Sequence, residues 1–152
     1  MTISIAAFKR LLVVFWALWW LTTFLTDFIG ALKATGFVAA PWFKVTNYPF
    51  LVSAIAPYDP PGWMAPLLYA GIILWSFTST VLFIAAASTP LQPRHIWTRR
   101  VNAAFMVSLG LWLAFFLADQ IVLKFDLEQN HMVQGGFQLL CFMALHLLPE
   151  KD

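Results

Sequence analysis

The chain has 152 residues, of which 61% are hydrophobic and 11% charged, with a formal net charge of +2. A soluble domain carries about 25% charged residues, so a chain this poor in charge cannot cover itself with a polar surface, and the soluble class is excluded. The small net charge, with no run of Lys or Arg and no RNA-binding motif, also argues against a nucleic-acid partner.

Mean hydropathy is +0.78, and the apolar residues fall in blocks long enough to span a bilayer, which takes about 20 residues per helix. In the first block, residues 7–32, the basic pair Lys9-Arg10 precedes the apolar run over residues 11–25. That opening looks like a secretory signal, but no small-x-small cleavage site follows the apolar run, and Asp27 and Lys33 interrupt its tail. The block is therefore expected to stay as an anchor.

Residues 33–62 form a long connection rich in aromatic side chains: Trp42, Phe43, Tyr48, Phe50 and Tyr58. Such rings favour the membrane–water interface, where an apolar body and a polar tip both find partners. The stretch 45–56 is expected to lie on the outer surface as an interfacial segment, serving either as an anchored loop or as a lid or docking surface.

A second block spans residues 61–88, with Asp59 as the expected N-cap, Pro61 in the first turn and Thr89-Pro90 as the stop. A third spans 98–123, and a fourth spans 126–148, ended by Pro149. The alternation over about 10 residues that marks β-barrel strands is missing. The expected fold is an all-α integral membrane protein, a single domain over 1–152 with four transmembrane helices paired as two antiparallel hairpins.

Basic residues set the orientation. Lys9, Arg10, Arg94, Arg99, Arg100 and Lys151 fall on one side, and Lys33, Lys44 and Lys124 on the other. The positive-inside rule puts the first side, with both termini, in the cytoplasm, as expected for a bacterial inner-membrane protein. Asp27, Asp59, Asp119, Asp126 and Glu128 then gather at the outer side.

Blocks one and three share a pattern. Trp20-Leu21, Phe24-Leu25, Asp27 and Ile29 correspond to Trp112-Leu113, Phe116-Leu117, Asp119 and Ile121, followed by Lys33 and Lys124. Basic pairs precede both, Lys9-Arg10 and Arg99-Arg100, with a two-residue difference in register. Read as an internal repeat, the unit is a hairpin, and the two hairpins are related by a pseudo-twofold axis along the membrane normal. Convergence on a common membrane-exit composition is the alternative.

Asp27 lies ~25 Å beyond Arg10 and Asp119 ~28 Å beyond Arg100 at the rise of an α-helix, so both belong near the outer boundary. Trp, Phe and Asp sit at i, i+4 and i+7, one helical face. An ionisable group facing lipid is costly, so that face is expected to meet a neighbour. Structurally, Asp27 would pair with Lys124 and Asp119 with Lys33, or each would accept from a tryptophan N–H. Functionally, the paired carboxylates would hold a proton, cation or metal at the outer surface.

Block four carries a polar stripe, Glu128, His131, Gln134, Gln138 and Cys141, at helical spacing. Glu128-x-x-His131 is half of a dinuclear carboxylate motif and lacks its second half, so it is only a weak metal candidate. No cofactor is expected from these residues outright. A quinone headgroup needs only one or two hydrogen-bonding groups beside aromatic rings, and the stripe offers them. For haem, His131 and His146 lie at opposite ends of the block, leaving His95 with His146 as the only pair. Gly71, Ser76, Ser79, Gly135 and Gly136 are expected to pack helices closely.

No nucleotide loop, nucleophile elbow or complete metal set is visible. The expected role is an accessory or structural subunit of a larger membrane complex, without catalysis of its own, in contact with lipid and other membrane subunits. A quinone-linked redox protein is the alternative, and a small ion or solute transporter the third. Four-helix membrane proteins of the thiosulfate-oxidising and methylamine-utilisation type are similar in size and topology, but their motifs do not match here residue by residue.

Overall fold

The computed structural model describes residues 4–39 and 41–149, and Asp126 by its backbone alone. Lys151, used in assigning sides, lies outside the described residues, as does the Asp126 side chain.

Among the described residues five α-helices follow in chain order: α1 Ile5–Ala34, α2 Asn47–Ile55, α3 Met64–Ala87, α4 Arg94–Val122 and α5 Phe125–Leu147. A 3₁₀ turn, Ala56–Tyr58, follows α2. No strand occurs among the described residues. Three of the helices, α1, α3 and α4, are long and apolar enough to cross a membrane, which suits a small membrane protein. Helix α5 has 23 residues, a length of ~35 Å. Its first half carries Glu128, Gln129, Asn130, His131, Gln134 and Gln138, which keep it outside that apolar set.

Local chemistry explains the helix ends. Ser4 caps α1, its Oγ accepting from the Ala7 N–H at 3.2 Å, which satisfies one of the free amides of a first turn. Helix α3 begins later than the sequence implies. Asp59 does not cap it; it takes a left-handed conformation (φ 46°) and closes the 3₁₀ turn instead. Asp tolerates that region because its short polar side chain bonds locally. Helix α4 begins earlier, at Arg94, directly after Pro93. Proline lacks the N–H that a helix start would leave unpaired, so the basic residues 94–100 join the helix rather than a loop.

Long helices that succeed one another run antiparallel and pack side by side: α1 on α3, α3 on α4, α4 on α5. At one end, Lys9 Nζ donates to the Leu148 carbonyl at 2.9 Å and Arg10 to the Thr89 carbonyl at 2.6 Å. Arg100 donates to Thr89 Oγ1 at 2.8 Å. The start of α1, the end of α3, the start of α4 and the end of α5 therefore meet. Between α1 and α5, Phe15 and Trp16 rest against Phe137, with ring centroids 6.2 and 5.8 Å apart.

The core is aromatic. Phe83 meets Phe105 edge-on at 4.9 Å, and Trp20 meets Trp112 at 5.6 Å, among Val13, Val101, Ala104, Leu111, Cys141 and Leu145. Outward-facing side chains on the same helices are also apolar, including Leu18, Leu113, Leu117 and Leu140. Exposed apolar surface on this scale would be a liability in water and matches hydrocarbon.

Candidate functional site

The end opposite the basic residues holds the two carboxylates, each in its own setting. Asp119, 4% exposed, sits in the last turns of α4 on one face with Phe115 and Trp112. His131 of α5 meets that face. Its Nδ1–H donates to Asp119 Oδ2 at 2.5 Å, and its ring stacks on Phe115 with centroids 4.8 Å apart and an 18° interplanar angle. The His131 side chain remains 21% exposed. Helices α4 and α5 come this close because residue 135 is glycine: a Cβ there would lie 3.0 Å from Trp112 Cβ and 3.1 Å from Phe116 Cζ.

Deeper along the same interface runs a second polar chain. Trp112 Nε1 donates to Gln138 Oε1 at 2.6 Å, Gln138 Nε2 to Ser108 Oγ at 2.7 Å, and Ser108 to the Ala104 carbonyl at 2.8 Å. Gln138 and Ser108 are fully buried. A buried amide without partners would be costly, and here both its ends are engaged. Gln138 thus joins two helices.

Asp27, 3% exposed, has different neighbours. Asn47 Nδ2, in the first turn of α2, donates to Asp27 Oδ1 at 2.7 Å. The Tyr69 hydroxyl of α3 donates to the Asp27 carbonyl at 3.1 Å and lies 3.4 Å from Oδ1. Gly30, one turn on, lets this happen: a Cβ there would lie 2.5 Å from Val45 and 2.8 Å from the Tyr69 hydroxyl. Lys33 donates to the Phe43 carbonyl, and Tyr48 packs on Tyr69 at 5.2 Å. On the far side, the Tyr58 hydroxyl donates to the Ile121 carbonyl of α4. The outer segment is therefore tied down at several points, while Phe37 and Trp42 stay 83% and 76% exposed.

These contacts correct the expected pairing. Asp27 is bonded to Asn47 and Tyr69 rather than Lys124, and Asp119 to His131 rather than Lys33. A tryptophan N–H serves neither carboxylate: Trp112 Nε1 goes to Gln138, and Trp20 Nε1, like Trp16 Nε1, is buried without a partner. In each case the element next in the chain supplies a nearer donor than a lysine on a flexible stem.

The remaining residues singled out from the sequence are dispersed. Glu128 Oε2 accepts from Gln120 at 2.7 Å, away from His131's bond to Asp119. Gln134 donates to Asn130 of its own helix at 3.3 Å. Among the described residues no group of three or more His, Cys, Asp or Glu comes together. His146 Nε2 is bonded to Asn102 Oδ1 at 3.0 Å. Ser76 is buried and donates to the Ile73 carbonyl, while Ser79 is buried with its hydroxyl unpartnered. Gly71 and Gly136 contradict the packing expectation: a Cβ at either would meet nothing within 4 Å, because both lie on faces turned away from the neighbouring helices.

Sequence reasoning missed Asn47, Tyr69 and Ser108. Ser108 lies one helical turn before Trp112 on the shared face, which was a usable signal. Asn47 and Tyr69 carried none, since an Asn in an aromatic loop and a Tyr in an apolar run each have ordinary local explanations.

No protein family, no curated protein and no solved structure matches this chain.

Proposed function

We propose that this chain is an accessory subunit of a larger membrane assembly. It is read as a four-helix bundle with four crossings, both termini cytoplasmic, in a bacterial inner membrane. The observation that carries this reading is the outer segment. It is held to the helices through Asn47–Asp27, Lys33–Phe43 and Tyr58–Ile121, yet turns Phe37 and Trp42 outward. A fixed platform with exposed rings suits docking, where aromatic side chains supply much of the contact energy. The polar side chains below it are mostly consumed in joining this chain's own helices.

The fourth crossing is supported by how α5 lies. It follows α4 from His131–Asp119 at one end to His146–Asn102 at the other, and Leu148 reaches Lys9. His131 and Gln138 are turned to α4, so these two polar side chains need not meet lipid, while Gln129 and Asn130 are exposed near the outer end of α5. The contact of Trp20 with Trp112, and the similar burial of Asp27 and Asp119, support reading the two hairpins as a repeat.

Two experiments test the proposal. Reporters fused at each terminus should both be active on the cytoplasmic side, whereas three crossings would place them on opposite sides. Purification in a mild detergent, followed by mass identification, should recover larger membrane subunits at fixed stoichiometry. Recovery of the chain alone as a monomer would overturn the accessory role.

A second reading, a quinone-linked redox role, draws on His131. Its Nδ1 is fixed by Asp119, which leaves Nε2 of a partly exposed ring to hydrogen-bond a quinone oxygen beside Phe115. Quinone extracted with the native protein and lost from His131→Gln would favour this reading over the first.

A further inference from the structure

One face of α1 departs from the apolar pattern of the outward surfaces. Helices α3, α4 and α5 turn residues such as Leu74, Leu113, Leu117 and Leu140 outward. On α1, Thr22, Thr23 and Thr26 instead line a groove of about 490 Å³, together with Phe15, Leu18, Trp19 and Asn47. The α1 positions recur at helical spacing, so the groove is one furrow along the helix. It measures ~16 Å from Phe15 to Thr26. Asn47, the first residue of α2, stands at the Thr26 end, where Asp27 holds it.

The two ends of the furrow differ. The Thr22 and Thr23 hydroxyls donate to the Leu18 and Trp19 carbonyls at 2.9 and 3.1 Å, which leaves their oxygens as acceptors. Asn47 gives one N–H to Asp27 and offers its Oδ1 as a further acceptor. Toward the basic end of the molecule the furrow is apolar, with Trp19, Leu18 and Phe15 all outward. Behind them Trp16 is 1% exposed, its ring 5.2 Å from Phe15 and 6.0 Å from Trp19, and its indole N–H is buried without a partner. Among the described residues that line the furrow, none is charged. A matching ligand is uncharged, donates hydroxyl hydrogens at one end and is apolar at the other. A phosphate head meets no cation among these residues, and a quinone, which only accepts, leaves the threonine oxygens unused.

We propose that this groove binds the hydroxyl-bearing ring of a neutral membrane amphiphile, with its apolar tail laid along Leu18 and Phe15. Two sources supply that chemistry: the sugar ring of a glycolipid and the dihydroxy, reduced form of a quinone. Either ring can lie against the exposed indole of Trp19, whose apolar body and polar edge suit such a ligand. Its hydroxyls then donate to Thr22, Thr23 and Asn47. The inference requires only that α1 lie in a bilayer, so it stands apart from the accessory role and from the quinone contact at His131.

The test is native mass spectrometry of the full chain in a polyoxyethylene detergent, which carries no sugar. A monoglucosyl diacylglycerol and decylubiquinol are offered separately, each beside its masked form, the acetylated glucolipid and the dimethyl ether of the quinol. At least one hydroxylated form should be retained over its masked form, and the arm in which this occurs identifies the source. Thr22→Val and Thr23→Val keep the side-chain shape while removing an oxygen. Each should weaken retention about threefold, the worth of one hydrogen bond in a membrane, and the double variant about tenfold. Thr78→Val is the control: its hydroxyl also donates to a carbonyl one turn back, but it lies on α3 outside the groove, and retention should not change. Thermal unfolding of the variants should match the parent, since Thr22 is exposed and Thr23 half-buried. Equal retention of hydroxylated and masked forms in both arms, or undiminished retention in the double variant, would overturn the proposal.

Discussion

Trp112 and Gln138 face each other across α4 and α5, with the indole N–H 2.6 Å from the amide oxygen and the amide nitrogen passed on to Ser108. This contact fixes how the two helices are rotated, since a turn of either by one residue would separate them. Gln138→Leu should therefore lower stability by about 0.6–1.7 kcal/mol, the range of interhelical hydrogen bonds in membranes. Trp112→Phe should cost little more in the Gln138→Leu background than the lost ring packing. Reversible unfolding in mixed detergent micelles would measure both, and fully additive effects would deny the coupling.

Asp119 and His131 form another contact between these helices, nearer the outer end. Asp119→Asn and His131→Gln should each destabilise by about 1–2 kcal/mol, with the double variant close to the worse single one. Stability unchanged by Asp119→Asn, with the activity of a purified assembly abolished, would instead make the pair functional.

Glycines at closely packed positions should respond differently from those facing open space. Gly30→Val and Gly135→Val each push a side chain into occupied space and should cost about 1–3 kcal/mol. Gly136→Ala meets nothing and should stabilise α5 by up to about 1 kcal/mol through helix propensity. Thermal midpoints of the three variants, compared side by side, would settle the ordering.

The outer segment should loosen independently of the helices beneath it. Asn47→Ala removes a donor to Asp27 and should raise hydrogen exchange over residues 37–58 while leaving α4 and α5 unchanged. Uniform protection, or a global increase, would show that the segment is not a separate unit.

Much of this architecture could be read from residue order. The apolar blocks gave the long helices, and the spacing of Trp20, Phe24 and Asp27, and of Trp112, Phe116 and Asp119, marked faces that needed covering. Both carboxylates are indeed buried. What covers them could not be read. Asn47 and Tyr69 reach Asp27 only because Gly30 admits the outer segment and α3 together, a property of packing rather than of any local pattern. The start of α4 was placed too late because Pro90 and Pro93 were read as marking a loop through Thr98, whereas Pro93 directly precedes the first helical residue, Arg94. Gly71 and Gly136 show the converse: small residues permit close approach without requiring it.

The Lys9–Leu148 contact bears on the order of assembly. Lys9 is 6% exposed, and its ammonium donates to a carbonyl at the far end of α5. Until α5 is in place, that cation must stay hydrated or draw water into the helix interface. A chain that stopped short of Leu148 would leave the Lys9 ammonium, in the first helix, without this acceptor. Closure of this contact ties the start of the first helix to the end of the last, so it can form only when both ends of the described chain are in place.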